Sequence, residues 1–187
     1  MTQSTTDKPC EDSDQSLIQR YLQNGDEAAG EALIHRHGQS VYRFLYSILN
    51  DPHESEDLCQ DTFKRAFAAL PTYRDQERFR SWIFTIAKNE ALGFLRKRKS
   101  RPSIDREVLD HDLNEDDAID SRDATHAIVN AVNKLPTDQR QVVLLRIQEE
   151  LSFREIAQLL DAPLGTILSR MHEARKQLRP ILKTDPE

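Results

Sequence analysis

Hydrophobic residues recur every three to four positions along most of this chain, which is the spacing of one face of an α-helix. No stretch alternates apolar and polar residues as a half-buried strand does. Turn and cap signals at Asn24-Gly25-Asp26, Asn50-Asp51-Pro52, Pro71, Pro136 and Asp161-Ala162-Pro163 divide the periodic stretches. The pattern therefore predicts an all-α fold. Its helices are expected at about 16–23, from 26 to 49, 53–70, 79–98, 122–135, 137–149, 153–160 and from 164 onward.

The clearest helix start is Ser152 followed by Glu155, a capping box that predicts a helix from Phe153. Asp161-Ala162-Pro163 ends this helix, and a second begins near Leu164. Two short helices joined by a tight turn are typical of a helix-turn-helix, whose second helix enters the major groove of DNA. An ordinary helical hairpin within a bundle is the alternative interpretation.

Charge on the second of these helices favours DNA. Its predicted core stripe is Ile167, Met171, Ala174 and Leu178. Candidate DNA contacts on the other side are Thr166, Ser169, Arg170, Arg175 and Lys176. Basic and hydroxyl side chains of this kind suit phosphate and base contacts, and Glu173 is the carboxylate set among them.

The net charge of −6 argues against nucleic acid until it is divided by segment. Residues 105–123 hold nine carboxylates and two arginines, so this segment carries −7 and the rest of the chain +1. We interpret 102–121 as an extended acidic linker between two small helical domains, 13–101 and 122–187, with a disordered tail at 1–12. The local field, more than the total charge, decides whether a phosphate backbone is attracted.

The first domain carries two further candidate surfaces. The third helix places polar residues together opposite its apolar stripe, namely Asp57, Gln60, Asp61 and Lys64. Such a stripe is usually a solvated face, although it also suits a partner protein. The loop 72–78 carries Tyr73 and is followed by a helix that ends in a cationic run, a composition suited to stacking bases and tracking phosphates. Phe79 and Trp82, in contrast, lie at core spacing and are expected mainly to pack the domain.

Other function classes find little support. No apolar run approaches the roughly 20 residues that span a membrane, and the polar, acidic N-terminus predicts no signal peptide, so a cytoplasmic location is expected. The two cysteines and six histidines are scattered without metal-ligand spacing, and no glycine-rich phosphate loop or nucleophile motif is present. We therefore expect no metal, no cofactor and no catalytic residue, which disfavours an enzyme.

Together these residues resemble the sigma-70 family, specifically the small extracytoplasmic-function group that retains only regions two and four. The resemblance covers about residues 16–182. In the first domain it rests on Asn24-Gly25-Asp26, Ala32-Leu33, Asp57-Leu58, Gln60-Asp61-Thr62-Phe63, Phe79, Trp82-Ile83, Ile86-Ala87-Lys88-Asn89 and the run from Leu95 to Lys99. In the second it rests on Leu135-Pro136, Leu151-Ser152, Glu155-Ile156-Ala157, Gly165-Thr166-Ile167, Ser169-Arg170 and Ala174-Arg175.

The resemblance implies a promoter-specificity subunit of bacterial RNA polymerase. The stripe containing Asp57 and Asp61 would dock on core polymerase. An extruded base of the minus-ten element and its neighbouring backbone would be held by Tyr73, Arg74, Lys88, Asn89, Arg96, Arg98 and Lys99. The helix beginning near Gly165 would read the minus-thirty-five element as duplex. Expected partners are core polymerase, promoter DNA and an anti-sigma factor, with no insertion into the membrane.

Three residues depart from the family pattern. Leu168 stands where Lys or Arg is common and Glu173 where Arg is frequent, which alters the expected minus-thirty-five contacts. Gly93 occupies an often acidic position and costs about 1 kcal/mol relative to Ala inside a helix. A two-domain DNA-binding regulator that never engages polymerase remains the alternative function.

Overall fold

The computed structural model describes residues 12–74, 78–99 and 122–182, and these ranges are built from helices. The helices are α1 (Asp14–Asn24), α2 (Glu27–Leu49), α3 (Pro52–Ala69), α4 (Phe79–Lys99), α5 (Arg122–Asn133), α6 (Thr137–Ile147), α7 (Phe153–Leu160) and α8 (Leu164–Leu182). A short 3₁₀ turn, Leu70–Thr72, follows α3. The all-α expectation is confirmed, whereas the predicted tail and acidic linker lie outside the described residues. None of the described helices is long and apolar enough to cross a bilayer.

The first helix boundaries follow from local capping chemistry. Asp26 accepts a hydrogen bond from the backbone N–H of Ala29 at 3.3 Å and starts α2, and Asp51 starts α3 in the same way. Gly25 ends α1 and Asn50 ends α2 in the left-handed region, with φ of 62° and 52°. The predicted breaks at these two turns are therefore confirmed.

Helix α2 lies at the centre of the first unit and packs against α1, α3 and α4. Phe44 of α2 and Phe84 of α4 meet edge to face with 5.2 Å between ring centroids, and both are fully buried. Leu33 of α2 and Ile83 of α4 are fully buried in the same hydrophobic core. Edge-to-face pairs of this kind contribute about 0.5–1.5 kcal/mol beyond their area burial, so this pair fixes α4 on α2.

The second unit contains the expected helix-turn-helix. Both bonds of the capping box are present: Ser152 Oγ accepts from the Glu155 N–H at 3.2 Å, and Glu155 Oε2 accepts from the Ser152 N–H at 2.8 Å. Asp161 ends α7 at a φ of 52°, and α8 starts three residues later. The α8 core side holds Ile167, Ala174 and Leu178, with Met171 partly buried.

Helix α6 connects the two units because it buries apolar residues on two sides. Val142 and Leu145 join the hydrophobic core of the first unit, whereas Val143 packs with Ala174 in a separate core of the second. Helix α6 thus lies on α2, and α7 lies on α4. A hydrogen bond of 3.2 Å from Arg80 Nη1 to the Glu149 carbonyl joins the same two units. The helix-turn-helix is therefore packed against the first unit.

The hydroxyl of Thr137 suggests from the sequence that this residue caps α6, but the structure shows that it does not. Thr137 is the first residue of α6, Pro136 occupies the cap position, and no side chain hydrogen-bonds there. The Pro136 carbonyl instead accepts from the backbone N–H groups of Gln139 and Arg140, each at 2.9 Å. Proline at the cap position leaves the helix start to backbone bonds alone.

Ile128 and Ile147 fall at helical spacing with neighbouring apolar residues, which predicts burial, but both are exposed. Ile147, the last residue of α6, is 61% exposed, and the last buried residue of that helix is Leu145. Ile128 is also exposed, whereas Ala131, later in α5, packs in the second core.

Candidate nucleic-acid interface

Three aromatic side chains meet where the 3₁₀ turn leads into α4. Tyr73 lies 4.7 Å from Trp82 and 6.0 Å from Phe79, measured between ring centroids. Phe79 is buried, as its spacing predicted, whereas Tyr73 and Trp82 are half-buried. The backbone N–H of Tyr73 donates to the Leu70 carbonyl at 3.0 Å, which holds the ring at the end of the turn. Aromatic faces at a chain reversal suit the stacking of an unpaired base.

A cleft of about 540 Å³ opens beside these rings. The first unit lines it with Ala69, Thr72, Tyr73, Arg74, Arg78, Ser81, Trp82 and Thr85, and α7 lines it with Glu155, Gln158 and Leu159. The helix-turn-helix therefore forms one wall of the cleft in which we expected base capture. Residues 75–77 of the predicted loop lie outside the described residues.

Glu155 brings a negative charge to this cleft, which Arg74 and Arg78 also line. Hydrogen bonds from Ser152 hold the pKa of the Glu155 carboxyl below its ordinary value, and the nearby Arg78 lowers it further. The carboxylate is thus ionised at neutral pH and attracts the same arginine that a phosphate would need. With α7 in this position, the cleft is less favourable to DNA than the first unit alone would make it.

The cleft does not contain all of the predicted minus-ten residues. Arg74 lines it, whereas Asn89 is exposed on α4 one turn beyond Thr85 and Lys88 is half-buried beside it. Sequence reasoning missed Ser81 and Thr85, which share a face of α4 with Asn89 at four-residue spacing. The four-residue spacing of these polar residues was the sequence signal that could have identified Ser81 and Thr85.

The cationic end of α4 continues away from the cleft. Arg96, Arg98 and Lys99 are exposed in its last turn, where positive charge is favoured by the helix dipole. Arg96 Nε donates to the Leu92 carbonyl at 3.2 Å. The structure places this cluster on the same helix as Asn89, two or more turns further on.

The polar stripe of α3 is a continuous exposed surface. Asp57, Gln60, Asp61 and Lys64 are all exposed, and Asp61 and Lys64 form an ion pair of 3.0 Å. Exposed pairs of this kind contribute at most about 1 kcal/mol. The stripe lies opposite buried Leu58 and Phe63, so it contributes little to the core and is accessible to a partner.

Helix α8, the expected recognition helix, presents most of its predicted contacts to solvent. Ser169, Arg175 and Lys176 are exposed and Thr166 is half-buried. Arg175 and Lys176 have no ion-pair partner among the residues that the structure describes.

Arg170 differs from the expectation that it lies on the free outer face. Its side chain is 28% exposed and its Nη2 lies 2.5 Å from Asp138 Oδ2 of α6. The position follows Ile167 by three residues, so the side chain turns toward α6 instead of away from it. A neighbouring contact, Gln177 Nε2 to Gln139 Oε1 at 3.0 Å, lies on the same side.

A buried histidine paired with a half-buried aspartate lies outside these surfaces. His37 Nε2 is 2.9 Å from Asp14 Oδ2, and the His37 ring packs 5.3 Å from that of Phe79. The pKa of Asp14 is lowered, because hydrogen bonds and charge from His37 and Arg36 outweigh the opposing effect of burial. The pair ties α1 to α2 directly under the aromatic group.

Neither cysteine nor histidine forms a metal centre in the described ranges. No group of three or more His, Cys, Asp or Glu side chains there has the geometry to hold an ion. Burial raises the pKa of the Cys59 thiol to about 11, which keeps it protonated and unreactive at neutral pH.

Comparison with known proteins gives the same two-part division. Residues 33–101 match the family model described as Sigma-70 region 2, and residues 125–178 match the model described as Sigma-70, region 4. RNA polymerase sigma-H factor of Pseudomonas aeruginosa is 31% identical over 189 residues, covering 92% of this chain and 97% of that protein. ECF RNA polymerase sigma factor SigW of Bacillus subtilis is 28% identical over 176 residues, covering 88% and 94%.

A solved structure is also similar over most of the chain. The sigma factor RpoE of Bartonella quintana, in complex with the anti-sigma factor NepR, superposes with a TM-score of 0.62 at 26% identity. The match covers 83% of this chain and 98% of that one. The similarity therefore spans both units and not a single helical motif.

Proposed function

The chain belongs to the sigma-70 family, in its extracytoplasmic-function group, and from this premise we propose that it binds core RNA polymerase and directs promoter recognition, opening and transcription initiation. The observation that carries the proposal is that one chain joins a region 2 unit and a region 4 unit, each with its own exposed surface. The role is non-catalytic and belongs in the cytoplasm, where polymerase acts.

We assign polymerase binding to the α3 stripe. Its carboxylates at Asp57 and Asp61 are exposed, rigidly spaced on one helix and unnecessary for the core. Charged surfaces of this kind steer association and fix the register of a protein interface. The stripe lies on α3, whereas the cleft opens where the 3₁₀ turn leads into α4 and α7 covers it. The first unit is therefore suited to hold polymerase and DNA at the same time.

We assign capture of the minus-ten element to the Tyr73 cleft and the adjoining face of α4. An extruded base exposes an aromatic face and a Watson–Crick edge, which a duplex hides, at a few kcal/mol of unstacking. Tyr73 and Trp82 supply the stacking surface, and the Asn89 amide supplies both a donor and an acceptor for the edge. Arg96, Arg98 and Lys99 continue along the helix as phosphate contacts.

Duplex reading of the minus-thirty-five element belongs to α8. Its first turns hold Thr166 and Ser169, and its later turns hold Arg175 and Lys176. In a helix-turn-helix the N-terminal residues of the second helix reach base edges, and basic residues nearby contact phosphates. An anti-sigma factor is a further partner, since the similar Bartonella quintana sigma factor is bound to one.

Reconstitution with core polymerase tests the function. Purified chain mixed with core enzyme is expected to co-elute with it in size-exclusion chromatography and to produce discrete transcripts from genomic fragments that core alone does not produce. If the chain instead binds duplex DNA tightly by itself and elutes apart from core, it is a conventional regulator and the proposal is wrong.

Replacing Asn89 with Ala is expected to weaken binding of the holoenzyme to a single-stranded minus-ten oligonucleotide by roughly fivefold or more, because a base-edge contact contributes about 1–3 kcal/mol. Promoter opening should fall in parallel, measured by permanganate reactivity of unpaired thymines, while protection of the upstream duplex persists. Asn130→Ala, at an exposed position of α5, is the matched control and should change neither quantity. Equal loss of upstream protection in Asn89→Ala would contradict the assignment.

A further inference from the structure

Two leucines lie exposed at the start of α8. Leu164 and Leu168 are 39% and 45% exposed, although Ile167 between them is fully buried. Residues four apart on a helix are neighbours, so the two side chains form one apolar patch over the first two turns. Ile167 and Ala174 fill the core side of α8, so the core does not need the two leucines.

A single exposed leucine has no special meaning on a soluble protein. Here the apolar pair continues into basic charge on the same face, since Arg175 and Arg179 follow Leu168 at seven and eleven residues. Both arginines are exposed. The face is therefore apolar at the N-terminal end of the recognition helix and cationic toward its C-terminal end.

That order of side chains matches the major groove of DNA. The thymine C5-methyl is the apolar group that the groove edge presents, whereas the other groups there are hydrogen-bond donors and acceptors. Leucine can satisfy none of those polar groups, and covering them without a hydrogen bond is unfavourable. Phosphates flanking the contacted bases complement the charge of Arg175 and Arg179.

The ion pair between Arg170 and Asp138 strengthens the case for the leucines. Arg170 would otherwise be the long side chain of these turns best able to read guanine, but it is directed toward α6. In this arrangement the exposed side chains that remain in the first two turns of α8 are the two leucines and Ser169.

We infer that Leu164 and Leu168 read thymine methyl groups in the upstream promoter element, so that α8 selects thymine at the base steps they face. The inference rests on the proposed function, and it specifies how α8 discriminates sequence where a cationic side chain is absent.

Replacement of thymine by deoxyuridine tests this directly, because it removes the methyl group and leaves every hydrogen-bonding group in place. The probe is a duplex promoter fragment that the holoenzyme transcribes, with each upstream thymine replaced singly. We expect one or two replacements to weaken holoenzyme binding by roughly fourfold each, the factor that corresponds to one buried methyl group.

A protein variant tests the same contact from the protein side. Leu168→Ala should bind the thymine fragment less tightly and should lose its sensitivity to deoxyuridine at one of those positions. Leu22→Ala, at a comparably exposed leucine of α1, is the control and should keep the full sensitivity. Circular dichroism should show an unchanged helix content in both variants, because both side chains are exposed.

Three outcomes would overturn the inference, and they are distinguishable. If the holoenzyme transcribes and no upstream deoxyuridine weakens binding, the thymine contact is wrong while the proposed function stands. If Leu168→Ala weakens binding equally on thymine and deoxyuridine fragments, the patch contacts a protein surface instead of DNA. If the chain neither binds core nor supports transcription, the proposed function fails and the inference fails with it.

Discussion

Reversing the charge of Asp57 and Asp61 to Lys is expected to abolish co-elution with core polymerase and to leave folding unchanged. Both carboxylates are exposed on α3, and the ion pair that Asp61 makes with Lys64 is itself exposed. Removing one partner of a charged contact within an interface costs about 2–5 kcal/mol of binding free energy, and reversing its charge adds repulsion. The affinity for core should therefore fall by a factor of roughly thirty or more.

The control for this variant is Glu27→Lys with Glu31→Lys, which makes the same change in net charge on exposed positions of α2. It should co-elute with core as the unmodified chain does. Thermal unfolding followed by circular dichroism should give similar midpoints for all three proteins. Unchanged core binding in the α3 variant would mean that polymerase docks elsewhere, and an equal loss in both variants would indicate an effect of total charge.

Replacing Phe84 with Ala should destabilise the first unit by about 3–5 kcal/mol, the cost of removing a fully buried aromatic ring and leaving a cavity. Phe84 is 1% exposed and supplies the edge-to-face contact with Phe44 that fixes α4 on α2. A loss of this size is a large part of the 5–15 kcal/mol that holds a typical domain folded. Because α4 carries Trp82 and Asn89, the candidate base site should be lost with it.

Urea unfolding measured by circular dichroism tests this result. Leu92→Ala on the same helix is the matched control, since Leu92 is 44% exposed and its truncation should cost well under 1 kcal/mol. Similar unfolding midpoints for Phe84→Ala and Leu92→Ala would show that the α2–α4 contact is not central to the fold. A large shift confined to Phe84→Ala is the expected outcome.

Helix boundaries could be predicted from the sequence because the chemistry that sets them is local. Asp26, Asn50 and the Ser152–Glu155 box act within four residues of the helix ends that they define. The exception is Thr137, where a hydroxyl suggested a cap but Pro136 holds the position. Thr137 is already the first residue of α6, so the cap position, one residue earlier, belongs to Pro136.

Core stripes were predicted less completely because burial depends on how many neighbours a helix has. Helix α4 packs against α2, α3 and α7, so its buried arc is wider than one stripe and includes Phe84 and Ala91 as well as Ile83. Predicting this wider arc requires knowing that three helices pack against α4. The sequence of α4 alone does not show this.

The candidate site was likewise predictable only in part. The types and positions of its charged residues are visible in the sequence, but their pairing is not, because Arg170 and its partner Asp138 are 32 residues apart. The position of α7 over the Tyr73 cleft is likewise a product of packing between units. Local pattern therefore predicted the three surfaces, and long-range packing determines which cations on them are available.

The cleft between α4 and α7 also contains its own optical probe. Trp82 is the single tryptophan of the chain, and it lines this cleft together with the Tyr73 ring and side chains of α7. Indole emission moves to longer wavelength when water reaches the ring and is quenched when a nucleobase stacks nearby. Intrinsic fluorescence can thus separate departure of α7, seen as a red shift, from entry of a base, seen as a loss of intensity, without any label on protein or DNA.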